Sequence, residues 1–251
     1  MASARYTLNI DPEDVKPFKE RELTPKEKRA NWLDYHWKHI IAAIVAVIIV
    51  IFFLHDYFSQ IIPDYQIGIV SRTPISEDAC TQLGNALSVY GEDLNGDDQV
   101  VVEVVHYPID LRTVDEMTPQ EQQGIDPMMQ AAAQTRLVGD VQLGETLVYL
   151  TDDPEGLHRI SGLLSDKNGE LVPEEADISE ALLYKWKDCP VLISLDLGTV
   201  EDPLTHEPLS VNSMLDDLMV LRRGYMEGKG PKYPEKAQEF FQKIVEGATA
   251  Q

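Results

Sequence analysis

Residues 40–54 (IIAAIVAVIIVIFFL) carry no charged or strongly polar side chain, and beyond them the apolar positions break into short runs separated by polar segments. Inside hydrocarbon a helix satisfies its own backbone hydrogen bonds, whereas each Asp, Lys or Arg costs several kcal/mol, so an uninterrupted run of this kind marks a bilayer. The run alone falls short of the roughly 20 residues of a full span. Trp37 before it and Tyr57 and Phe58 after it extend the segment to residues 37–58, about 33 Å of helix with amphipathic rings at both interfaces. No small-residue cleavage site follows, so the segment is expected to remain as an anchor rather than be removed as a signal peptide.

Downstream the pattern alternates strand with helix. Residues 64–70 (DYQIGIV) predict a first strand, and Ser76 caps an amphipathic helix ending at Tyr90-Gly91. Residues 100–107 (VVVEVVHY), nearly all β-branched, predict the strongest strand of the chain. Asp126-Pro127 opens a helix closed by Gly144, residues 146–150 form a third strand, and Asp153-Pro154 caps a helix running to residue 164. After a polar stretch, the pattern predicts a helix over 179–186 and a strand over 191–195. A helix carrying Met214, Leu215, Leu218 and Leu221 follows, and a last helix over 234–245. The expected fold is therefore α/β: a single N-terminal transmembrane helix, then an extracytoplasmic domain with a mainly parallel sheet flanked by helices.

Charge near the span sets the expected orientation. Residues 20–39 hold Arg21, Lys26, Lys28, Arg29 and Lys38, whereas Arg72 is the one basic residue in 55–75, so the N-terminus is expected in the cytoplasm. Thr24-Pro25-Lys26-Glu27 reads as a capping box with proline at the first helical position. The chain accordingly divides into a short disordered tail (1–23), a juxtamembrane and transmembrane helix (24–58) and an extracytoplasmic α/β domain (59–251).

From residue 56 onward 13 basic side chains face 36 acidic ones. Such a surface repels nucleic acid, which is excluded as a partner; the bilayer is met through residues 37–58. Cys80 lies on a helical stripe with Leu83, Leu87 and Tyr90, and Cys189 sits between polar residues and an apolar run, so both read as buried. Whether they pair depends on a Cα separation that sequence does not give. Their spacing of 109 residues is not that of a metal site.

The order of the cytoplasmic tail, the YHWKHIIAAI start of the span, PDYQIGIV, YGEDLNGDDQVVVEV, TLVYLTDDPE and DCPVLISLDLG resembles a group of uncharacterised single-pass membrane proteins of Gram-positive anaerobes. Their exported parts are similar to one lobe of a type II solute-binding protein. The resemblance implies an α/β lobe of binding-protein type and carries over no catalytic residue. The chain departs from transporter receptors in having no lipoprotein signal and room for one lobe only.

In open α/β sheets chemistry collects beyond the carboxyl ends of the strands. The expected ends are Ser71-Arg72-Thr73, His106 to Asp110, Thr151-Asp152-Asp153 and Asp196. The candidate ligand-binding residues are Arg72, Thr73, His106, Asp110, Asp152 and Asp196, with Arg72 facing an anionic ligand or the three acids sharing a cation. Against this, acids in βα loops commonly form turns, and Asp153 is placed as an N-cap.

Residues 93–98 (DLNGDD) begin like a calcium loop, but Asp98 stands where glycine belongs and Val104 where the bidentate Glu belongs, so an Asn-Gly turn explains them better. His36 and His39 read as interfacial. No Gly-x-Ser-x-Gly, phosphate-cradling glycine loop or His-Glu-x-x-His is present, and no cofactor or resident metal is expected. The expectation is a membrane-anchored recognition domain for a small ligand or peptide, without catalysis. The alternatives are a structural or assembly subunit that meets envelope proteins and, third, an unrecognised hydrolase.

Overall fold

The computed structural model describes residues 21–58, 61–173, 178–201, 206–224 and 231–248. The tail assigned to residues 1–23 therefore lies, up to residue 20, outside the described residues, as do the side chains of Tyr57 and Phe58. The chain separates into two compact units, Met1–Gln60 and Ile61–Gln251.

In the first unit a single helix, α1 (Pro25–Phe58), runs for 34 residues, about 51 Å. Thr24 and Glu27 close the anticipated capping box: the Thr24 backbone N–H donates to Glu27 Oε2 at 2.8 Å and the Glu27 N–H to Thr24 Oγ1 at 3.4 Å. The helix is apolar and long enough to cross a membrane, with none of its most apolar stretch buried by protein. His36 stacks on Trp32 with ring centroids 4.5 Å apart and takes Trp32 O as a partner, so local packing accounts for it.

The second unit is built on a five-stranded sheet. In chain order it contains β1 (Tyr65–Ser71), α2 (Glu77–Leu87), β2 (Val102–Pro108), α3 (Pro119–Gly124), α4 (Pro127–Leu143), β3 (Thr146–Thr151) and α5 (Pro154–Ser161). Then come β4 (Leu183–Lys185), α6 (Pro190–Ile193), β5 (Thr199–Glu201), β6 (Pro208–Ser210), α7 (Val211–Leu215), β7 (Met219–Arg222) and α8 (Pro234–Ile244). The order across the sheet is β2-β1-β3-β7-β4, and β5 and β6 make a separate two-stranded ribbon.

The pairs β1·β2 and β1·β3 are parallel, whereas β7 runs antiparallel to both β3 and β4. The sheet is thus mixed: four strands share one direction and β7 opposes them.

Caps place the first half where the pattern predicts it. Ser76 Oγ accepts from Ala79 N, Asp126 Oδ1 from Met128 N and Met129 N, and Gly144 closes α4 at φ +80. Helix α5 stops at Ser161, earlier than expected, because Gly162 turns left-handed there.

Successive strand residues point to opposite faces, and both faces are covered. Ile67 and Ile69 pack with α2, α6, α7 and α8 on one side, around Trp186, Phe240 and Phe241. Val70, Tyr107, Tyr149 and Leu221 pack with α4 and α5 on the other. Gly84 lets α2 lie close on the sheet, since a Cβ there would run into the carbonyl oxygen of Val102. Cys80 and Cys189 are buried free thiols in the first core, and burial pushes both up to about 11.

Three expected elements of the second half are corrected. Residues 179–186 are a 3-10 turn followed by the edge strand β4, where Leu183 pairs with Leu221. Residues 191–195 open as the single-turn helix α6, started by Pro190 and burying Leu192. The helix expected through Leu221 ends at Leu215, and Met219–Arg222 becomes β7 because it fills the open edge of β3.

Candidate functional site

The register of the parallel strands decides which side chains meet beyond their carboxyl ends. Val70 pairs with both Tyr107 and Thr151, so Ser71-Arg72-Thr73 leaves the sheet between Pro108 and Asp152. Asp152 receives Arg72: its Oδ2 accepts from Arg72 N at 3.1 Å and from Arg72 Nε at 2.9 Å. The Asp152 side chain is largely covered and that of Arg72 about half exposed. Neither Nη group of Arg72 has a partner among the described residues, and Asp152 Oδ1 is buried without one.

His106 lies on β2 opposite Ile69, with Nε2 3.1 Å from Ser71 Oγ. The Ser71 hydroxyl donates its one proton to Thr73 O at 2.9 Å, which makes the imidazole N–H the donor to Ser71. Burial pushes His106 down to about 4, against the pull of Ser71 and of the Asp152 charge, so it is neutral at pH 7. Ser71 is almost wholly buried. A nucleophile needs a base that accepts its proton and an open approach; this pair has neither, and it serves as a clasp that fixes the Ser71–Thr73 turn.

Asp110 is committed elsewhere. Its Oδ1 accepts from Arg112 N at 3.1 Å and Nε at 3.0 Å, and its Oδ2 from Arg112 Nη2 at 2.8 Å. Burial raises the Asp110 carboxyl, but these bonds and the Arg112 and Arg72 charges outweigh it and leave it below the usual carboxylate range. Arg112 also reaches Glu121 at 2.7 Å; hydrogen bonds from Thr118 and Arg112 hold Glu121 at about 2. The one sequence signal for Arg112 is its place two residues after a strand-end Asp, within reach of that carboxylate. Asp153 caps α5 by accepting from Gly156 N at 2.8 Å.

Arg72, Thr73, His106 and Asp152 are therefore brought together, with Asp110 beside them under Arg112. Asp196 is not. With residues 191–195 no longer a strand, Asp196 is an exposed loop residue between Leu195 and Leu197, which pack into the core on the α2 side. The shared cation site expected of Asp110, Asp152 and Asp196 does not form, and no three His, Cys, Asp or Glu side chains among the described residues are grouped to hold a metal.

The calcium-like segment is an Asx-turn loop. Asp93 Oδ1 accepts from Gly96 N, Asp93 Oδ2 from Asp98 N and Asn95 Oδ1 from Asp97 N, with Gly96 at φ +82. What the strand-end group can do is offer the free guanidinium N–H donors of Arg72 to a small polar ligand, backed by a neutral imidazole and a largely covered carboxylate. No family model, curated protein or solved structure matches the chain.

Proposed function

We propose that this chain is a membrane-anchored extracytoplasmic recognition protein. Helix α1 holds it in the bilayer through residues 37–58 with the N-terminus in the cytoplasm, and the α/β unit binds a small anionic ligand or peptide end at the carboxyl ends of β1, β2 and β3. The observation that carries this reading is Arg72. It is anchored by Asp152 through its backbone N–H and one guanidinium nitrogen, leaves both Nη groups uncommitted, and stands in a chain where acids outnumber bases 43 to 21. A planar guanidinium presented in this way matches a carboxylate or phosphate in two-point contact. The resemblance to one lobe of a type II solute-binding protein agrees with a βαβ arrangement whose ligand sits at strand ends.

The reading is tested by ligand-induced stabilisation of the full chain in lipid nanodiscs. A set of small carboxylates, phosphates and cell-wall peptides should contain at least one compound that raises the unfolding temperature of the wild type and not of Arg72→Ala. A specific ligand at 100 times its Kd adds ~2.7 kcal/mol.

One feature favours the second reading, an assembly subunit. Helix α4 buries only Ala133 and Leu137, and exposes Met128, Met129, Val138 and Leu143. Crosslinking in intact membranes from position 138 would give discrete heteromeric products under that reading.

A further inference from the structure

At the opposite end of the sheet from Arg72 lies a cavity of about 220 Å3, between the amino ends of β1 and β3 and helix α8. Its floor is apolar: Tyr65 and Phe240, stacked with ring centroids 4.4 Å apart, together with Leu147, Val148 and Ala237.

The polar groups in its walls are mostly bound to one another. Asp64 accepts from Leu94 N at 2.8 Å, Asn95 N at 3.2 Å and Val101 N at 2.9 Å. Asn95 donates to Ile62 O at 2.9 Å, and Gln66 bridges Glu103 and Thr146. Two charges remain, and they are of opposite sign. Glu145, just before β3, has no ion pair or hydrogen bond among the described residues; Lys232 has no acid partner there, and its Nζ sits 5.1 Å over the Tyr233 ring. Both are exposed.

An apolar floor with one uncommitted cation and one uncommitted anion on its walls is complementary to a molecule that carries both charges on an apolar body. We infer that this cavity is a second binding site, for a small apolar zwitterion whose ammonium meets Glu145 and whose carboxylate meets Lys232. The volume lies below the ~300–1,000 Å3 usual for drug-sized ligands, so the occupant is one compact molecule. The site is independent of the strand-end reading, since no residue is shared.

The test uses the full chain in lipid nanodiscs, where detergent does not compete for an apolar cavity, and isothermal titration with L-leucine and L-phenylalanine as probes. At least one should bind saturably. Its analogues with one charge removed, isoamylamine and 4-methylvalerate for leucine or phenethylamine and 3-phenylpropionate for phenylalanine, should each bind about tenfold weaker or worse, the loss of one charge contact.

Lys232→Gln should weaken the amino acid and the acid but not the amine, and Glu145→Gln the amino acid and the amine but not the acid. Ala237→Leu should abolish binding by filling the floor; if that variant fails to fold, the two exposed wall variants still decide the matter. Arg72→Ala should leave the isotherm unchanged, which separates this site from the strand-end one. Absence of saturable binding by either amino acid at millimolar concentration, equal binding of the one-charge analogues, or isotherms untouched by both wall variants would overturn the inference.

Discussion

Two mid-helix glycines, Gly84 in α2 and Gly139 in α4, should respond to alanine with opposite signs. On propensity alone both substitutions gain about 0.5–1 kcal/mol, because alanine loses less backbone entropy on folding. At Gly139 nothing lies within 4 Å of the added Cβ, so the gain should appear in full. At Gly84 the Cβ meets the Val102 carbonyl, a backbone atom in the sheet that no rotamer change can move aside.

Helix α2 must then lift from β2, on which it packs through Leu83 and Leu87. Overpacking of that kind costs ~1–3 kcal/mol, leaving a net loss of about 0–2.5 kcal/mol after the propensity gain. For a domain of this size the midpoint should fall by roughly 2–4 °C per kcal/mol. The assay is urea and thermal unfolding of the full chain in mild detergent, followed by near-ultraviolet circular dichroism. Stabilisation by Gly84→Ala would refute the close helix–sheet contact, and destabilisation by Gly139→Ala would mean that something packs on the outer face of α4.

Other outcomes follow from named groups. His106 titrates at about 4 when folded against 6.5 in the open chain. The unfolded state therefore binds the extra proton between these values. Stability present above pH 6.5 is lost as pH falls toward 4, by up to ~3 kcal/mol, and His106→Gln should flatten urea midpoints across that window. Cys80 and Cys189, with thiols near 11 and buried, should resist a disulfide reagent at pH 8 in the native state and both react in urea. Millimolar calcium should leave the unfolding temperature unchanged, because Asp93 and Asp97 already accept backbone N–H groups of their own loop. A shift of several degrees would contradict that assignment.

The elements that sequence disclosed are those whose signals are local. The long apolar helix α1, the Ser76, Asp126 and Asp153 caps, the Gly144 stop and the β-branched run of β2 each depend on neighbours within a turn or a strand. The second half is not legible in the same way because its short apolar runs satisfy either period. Val191 to Leu195 has strand composition, yet Pro190 starts a helical turn; Leu218 and Leu221 keep helical spacing, yet the open edge of β3 recruits Met219–Arg222, with Leu221, into β7.

The strand-end site was legible in part for the same reason. Arg72, His106 and Asp152 follow from parallel pairing of β1, β2 and β3, which the pattern predicts. Asp196 depended on a strand that does not exist. The cavity at Tyr65 and Phe240 had no sequence signal, since α8 reaches it from 175 residues away in the chain.

The most direct measurement is the unfolding temperature of the wild type and of Arg72→Ala, in nanodiscs, across the set of carboxylates, phosphates and cell-wall peptides. Arg72 is about half exposed and its ion pair contributes little, so the apo proteins should unfold within about 1 kcal/mol of each other. A ligand that stabilises the wild type by several degrees and leaves Arg72→Ala unmoved is the predicted result. A flat response in both, or equal stabilisation of both, would contradict recognition at the strand ends.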